Sequence, residues 1–190
     1  MKGSAYLTIL LLIINLQARC QWEWAYPQPC GNRVLSMTAV DSMHVWMSTT
    51  GGTIIYTNNG GNIWKNYQSD SNDLMYSSSF TDTLNGWVSA SNGGIYHTTD
   101  GGATWSHSSL NYDQTLGDIW FTDPLHGWIG SHLTTNLHRT TDGGITWDTI
   151  NTTVSQPGYK VTFTDPQHGW VAGDNTNYPI LRMAERPGLP

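Results

Sequence analysis

Five aspartates, Asp82, Asp100, Asp123, Asp142 and Asp165, are the residues whose chemistry could be catalytic. Glycoside hydrolysis runs on a pair of carboxylates roughly 5 to 9.5 Å apart. A catalytic pair needs positions that occur once, and these acids recur in equivalent surroundings along the chain. An Asp repeated in that way fastens turns, because its carboxylate accepts hydrogen bonds from the N–H groups of its own turn. The seven histidines, His44, His97, His107, His126, His132, His138 and His168, fall in no zinc-ligand spacing with Cys or Glu. His126 and His168 occupy the turn slot that holds Asn85 one copy earlier, so turn hydrogen bonding is their expected role. Every Gly pair reads as part of a hairpin, not as a strand-to-helix phosphate loop. No catalytic residue, cofactor or metal site is therefore expected.

The recurrence is the main organising feature. Phe80-Thr81-Asp82 through Gly86-Trp87 returns as Phe121 through Asp123, Gly127 and Trp128, and again as Phe163 through Asp165, Gly169 and Trp170. A worn copy runs from Val40-Asp41 to Val45-Trp46, and Trp46, Trp87, Trp128 and Trp170 lie 41, 41 and 42 positions apart. A second motif keeps the same period. Thr57, Asn59, Gly60 and Trp64 are matched by Thr98, Asp100, Gly101, Thr104 and Trp105, then by Thr140, Asp142, Gly143, Thr146 and Trp147. The first copy departs from the other two at Asn59 and Ile63, which predicts a weaker turn there.

Ten Trp, nine Tyr, 20 Gly and 8 Pro favour many short strands over helices. Each period accommodates four of them, such as 74–80, 86–90, 94–97 and 104–108, with turn residues between. Four strands in roughly 40 to 45 residues is the size of a propeller blade. The expected fold is an all-β propeller of four-stranded antiparallel blades, about three and a half of them present, at about 34–68, 74–108, 115–150 and 158–183. Asp-Gly-Gly supplies the positive φ of a tight hairpin, and the Trp after it is expected to cover the turn and bury its ring between blades. Both motif turns should share one end of the propeller. Loops that differ between copies are the expected ligand face, with Asn92, His132, Asn136, Asp174, Asn175 and Tyr178 as candidate contacts.

The Thr-x-Asp-Gly-Gly-x-Thr-Trp units resemble the Asp-box, or BNR, repeat of sialidases, sortilin ectodomains and xyloglucanases. Together with the Phe-x-Asp-x-x-x-Gly-Trp units, they make residues 21–183 similar to the propeller of the photosystem II stability and assembly factor family, which secreted bacterial proteins also carry. Gln21-Trp22-Glu23-Trp24 resembles the mature start of such proteins. The resemblance implies a non-catalytic interaction scaffold whose partner is a protein or a glycan. It also implies an alternative, a sialidase- or xyloglucanase-like glycoside hydrolase with its catalytic residues in further blades. Sialidases hold a substrate carboxylate with an arginine cluster, and the arginines after residue 20, Arg33, Arg139, Arg182 and Arg186, show no matching constellation.

Residues 1–20, with Lys2, an apolar stretch from Ala5 to Leu16 and a polar end, read as a secretory signal peptide cut before Gln21. The twelve apolar residues fall short of the roughly 20 that cross a bilayer. A short lead-in, 21–33, follows, and the expected location is periplasmic, cell-surface or extracellular. Beyond the cut, 6 basic and 14 acidic residues leave −8, no footprint for a nucleic acid. Cys20 and Cys30 make no disulfide framework. After Arg182 the period calls for another Asp box, yet residues 184–190 form an aberrant tail. Codons for this tail exist whose shifted frame reads Asp-Gly-Gly-Thr-Thr-Trp, so a one-base frame error and an N-terminal fragment are expected, to be checked in the genomic DNA. An open propeller edge would then invite self-association.

Overall fold

The structure is a computed structural model that describes residues 31–110, 115–151, 158–173 and 181–184. The described residues are all-β apart from a 3-10 turn at Ser91–Gly93. Blade one comprises β1 (Val34–Ala39), β2 (Val45–Thr49), β3 (Thr53–Thr57) and β4 (Lys65–Gln68). Blade two comprises β5 (Met75–Phe80), β6 (Gly86–Ala90), β7 (Gly94–Thr98) and β8 (Ser106–Ser109). Blade three comprises β9 (Leu116–Phe121), β10 (Gly127–Ser131), β11 (Asn136–Thr140) and β12 (Asp148–Asn151). Blade four contributes β13 (Gly158–Asp165), β14 (His168–Gly173) and β15 (Leu181–Ala184). Each sheet is an antiparallel meander in chain order, and the described blades form an open propeller, not a closed ring. Asn136, read above as a loop residue, opens β11 and pairs with Asn151.

The core lies between the sheets. Trp46 of blade one stacks on Phe80 of blade two, with centroids 3.9 Å apart. Trp87 stacks on Phe121 at 3.6 Å, and Trp128 on Phe163 at 3.8 Å. Aliphatic residues pad each joint, for example Ile95, Leu116, Ile119 and Ile129 around Trp87. The indole N–H adds a polar tie across the joint: Trp46 donates to the Gly101 carbonyl at 2.8 Å and Trp87 to that of Gly143 at 2.9 Å.

Cross-strand register explains the glycines of the first motif. Phe80 faces Gly86, Phe121 faces Gly127 and Phe163 faces Gly169. A Cβ on Gly86, Gly127 or Gly169 would come within 2.1, 2.4 and 2.3 Å of the facing phenyl ring, so the ring occupies the space a side chain would need. Blade one has Ala39 opposite Val45 in the same register, a small residue facing a large one with the order reversed.

The two ends of the propeller are separated by backbone bonds. The Gly60, Gly101 and Gly143 amides donate to the carbonyls of Met43, Leu84 and Leu125, which joins the two motif turns of each blade at one end. At the other end, the turns between second and third strands meet the connections between blades. Ser91 donates to the Leu74 carbonyl, Leu110 to that of Gly93, and His132 to that of Thr115.

Candidate functional site

The motif end is built on Thr and Asp together. In blade two, Thr98 Oγ1 accepts from the Gly102 amide at 2.9 Å and donates to Asp100 at 2.8 Å. Asp100 also accepts from the Thr104 amide at 2.9 Å and the Thr104 hydroxyl at 2.6 Å. Blade three repeats this with Thr140, Gly144, Asp142 and Thr146. Gly101, Gly102, Gly143 and Gly144 all hold φ between +75° and +97°. The Thr104 and Thr146 bonds lower Asp100 and Asp142 from 3.8 to about 2. In blade one Asn59 accepts from the Ile63 amide and the Thr57 hydroxyl, and Ile63 offers no second hydroxyl. The box tryptophans Trp105 and Trp147 are half-buried and donate to Gly102 and Gly144 of their own turns. They pack at the margin of the clusters between blades, while the fully buried indoles there are Trp46, Trp87 and Trp128 of the second strands.

The second turn motif binds its own loop in every blade. Asp82 accepts from the amides of Leu84 and Asn85 and from the Asn85 side chain. Asp123 and Asp165 accept the equivalent amides and hold His126 and His168, whose Nδ1 lies 2.9 Å from the carboxylate. Burial works against ionisation of Asp82 and Asp123, yet these bonds keep both below the usual carboxylate range. All five repeated acids are thereby occupied within their own turns. This end also exposes aliphatic side chains beside the carboxylates, among them Leu84, Leu125 and Ile145.

The connection end differs from blade to blade. Asp73 accepts from Ser71, Ser91, Asn92 and the Tyr96 hydroxyl. Burial opposes its ionisation, and those four donors outweigh it and hold the carboxyl below the ordinary value. Asn92, exposed and at φ +56°, is thus tethered and serves the loop. His132 meets Tyr76 of the neighbouring blade with ring centroids 5.1 Å apart, while Leu133 beside it is 62% exposed and Leu74 is exposed nearby in sequence to Tyr76. Asn136 is half-buried in β11 and away from this loop tip. Asp174, Asn175 and Tyr178 lie outside the described residues, as do residues 1–20, read above as a signal peptide, and both cysteines.

A third feature was not reached by the sequence reading. Three residues before the Ala39, Phe80, Phe121 and Phe163 positions, the first strands carry Ser36, Ser77, Asp118 and Lys160. Asp118 accepts from the Ser77 hydroxyl of blade two and the Val161 amide of blade four, and Lys160 Nζ lies 3.5 Å away. Asp118 and Lys160 border a groove of about 420 Å3 that Trp120, Val161, Thr162, Trp170 and Ala172 also line. The slot differs in every copy but the first two, with Ser36, Ser77, Asp118 and Lys160 in turn. Asp118 belongs to neither repeated motif, as Asp73 does not. Among the described residues no three His, Cys, Asp or Glu side chains converge as a metal site. No helix among them is long and apolar enough to cross a membrane.

No protein-family model and no curated protein matches the sequence. Solved structures match in fold. A YCF48 protein bound to a D1 peptide superposes with a TM-score of 0.67 at 20% identity, over 85% of this chain and 52% of that one. YCF48 from Cyanidioschyzon merolae gives 0.63 at 19% identity, over 80% and 50%. An ancestral GH74 enzyme gives 0.60 at 16% identity, over 74% and 22%. The chain spans about half the length of the two YCF48 structures. The shared property is the β-propeller fold.

Proposed function

We propose that this chain is a secreted, non-catalytic propeller scaffold that holds a segment of another protein at its connection end. The observation that carries the reading is the contact of Tyr76 with His132 across two blades, beside the exposed Leu133. Aromatic and aliphatic groups on a tethered loop suit apolar side chains of a peptide, whereas a glycan would use the aromatic ring and leave the leucine unpaired. The solved YCF48 complex with a D1 peptide supports peptide binding by such a propeller. Secretion rests on the pattern of residues 1–20.

The likeness to a GH74 enzyme is what would favour a glycoside hydrolase. Against that reading, Asp118, a non-repeating acid on a first strand, is spent on Ser77 and Val161, and its counterpart in blade four is Lys160, not a second carboxylate.

The test is selection of displayed random peptides on the purified protein. The expected result is binders whose affinity falls roughly tenfold or more in H132A/L133S and is unchanged in L125S/I145S, which alters the opposite end. Selection of nothing, or loss confined to L125S/I145S, would overturn the reading.

A further inference from the structure

A cleft of about 190 Å3 opens at the motif end between blades one and two. Tyr56 on β3 and Lys65, which opens β4 opposite it, border it from blade one. Leu84 of the β5–β6 turn, with Asp100 and Ala103 of the box turn, border it from blade two. The bond from Trp46 Nε1 to the Gly101 carbonyl ties the two sides together. Tyr56 is 8% exposed, and its hydroxyl finds no hydrogen-bond partner among the described residues. A hydroxyl buried to that degree is ordinarily bonded, so an unmet one at the border of a cleft marks the place of a ligand atom. Burial first, and then the nearby Asp100 carboxylate, push this hydroxyl above the ordinary tyrosine value, which keeps it a donor. Lys65 Nζ lies 5.9 Å from the centre of the Tyr56 ring and has no ion-pair partner among the described residues. Across the cleft, Asp100 Oδ2 accepts the Thr104 hydroxyl and has room for a further donor. The later blades do not repeat this set. Tyr56 and Lys65 give way to His97 and Ser106 in blade two and to Arg139 and Asp148 in blade three, and Ala103 gives way to Ile145.

We infer that the cleft between blades one and two is a binding site for a free α-amino acid with an aliphatic side chain. The ligand's carboxylate meets Lys65 and the Tyr56 hydroxyl, its ammonium group meets Asp100, and its side chain lies against Leu84 and Ala103. Opposite charges on the two sides select a molecule that carries both. An inorganic anion would gain from Lys65 and be repelled by Asp100. A sugar would lay its apolar face on an aromatic ring, and the Tyr56 ring has Lys65 over it instead. The volume lies below the roughly 300 Å3 at which sites for drug-sized ligands begin, which suits a single residue-sized molecule. A residue inside a peptide carries neither charge, so peptides held at the connection end do not enter this cleft. The two sites are independent, and each stands or falls by its own test.

The experiment is isothermal titration calorimetry of the full chain with alanine, valine and leucine. At least one of the three is expected to give saturable binding. Its amide, which lacks the carboxylate, and its N-acetyl form, which lacks the ammonium group, are each expected to bind roughly tenfold more weakly or worse. Tyr56→Phe and Lys65→Gln should weaken binding by a similar factor, whereas Ser106→Ala, at the slot of Lys65 one blade later, should leave it unchanged. Ala103→Ile places in the cleft the side chain that blade three carries at this slot, and is expected to abolish binding with the thermal midpoint kept within about 2 °C. No saturable binding by any of the three amino acids would overturn the inference. So would an N-acetyl form or an amide that binds as tightly as the free amino acid, glucose binding as tightly, or a Tyr56→Phe variant that binds like the wild type.

Discussion

At the scale of single residues, the box aspartates are turn fasteners whose charge matters. Asp100 and Asp142 are held at about 2 instead of 3.8 because the Thr104 and Thr146 hydroxyls and amides bind the ionised form. The folded value lies below the unfolded one, so the stabilisation is complete above the unfolded value and disappears as pH falls through the folded one. Both carboxylates face solvent, which reduces the effect. D142A is expected to lower stability at neutral pH by about 1 kcal/mol, the worth of the lost turn bonds. D142N should cost less, since Asn59 of blade one shows that an amide oxygen still accepts from the backbone. Thermal unfolding from pH 7 down to pH 2 measures this. The gap between wild type and D142A should narrow on the acid side of 3.8, and a gap constant down to pH 2 would show that the carboxylate charge is irrelevant.

At the scale of elements, the strand pair carries information that a linear motif does not display. Gly86 opens the strand read at 86–90, and what the sequence did not display is why a glycine stands there: its missing Cβ admits the Phe80 ring. The Phe-to-Gly spacing was legible; its meaning required the register that sets the two residues face to face. The same holds for Ala39 and Val45, which look like decay of the motif and form a complementary pair of the opposite order. Periodicity made the blades and their strand count readable. Asp118 and Lys160 were not readable as a pair, because their meeting depends on adjacent first strands running side by side near the axis. A double-mutant cycle tests the register argument. Gly86→Val alone is expected to cost about 3 kcal/mol by overpacking. In a Phe80→Ala background the same change should cost within about 0.5 kcal/mol of nothing, a coupling of the size seen for residues in direct contact. Additive losses in chemical denaturation would show that the phenyl ring does not depend on the glycine.

At the scale of the whole molecule, stability follows from how many faces each blade has covered. Blades two and three are each gripped on both sides, by Trp46 on Phe80 and Trp87 on Phe121, then by Trp128 on Phe163. Indole-to-carbonyl bonds tie blade one to blade two and blade two to blade three. Among the described residues, blade four is gripped on one side, through Trp128, Val161, Phe163 and Val171, with a further hold where its Val161 amide reaches Asp118. In a structure whose units interact mainly with their neighbours, the unit with fewer filled joints opens first. Native-state hydrogen exchange should therefore grade along the chain, with the amides of β6 and β10 slowest and those of β14 faster. The charge on Lys160 adds a lever, because its distance of 3.5 Å from Asp118 lets it support the joint between blades three and four. Asp118→Ala should speed exchange in β13 and β14 while leaving β2 and β3 unchanged, since Asp118 touches only blades two and four beyond its own. Uniform acceleration across all four blades would mean that the propeller opens as a single cooperative body. The joint-by-joint description would then fail at this scale even if every joint is drawn correctly.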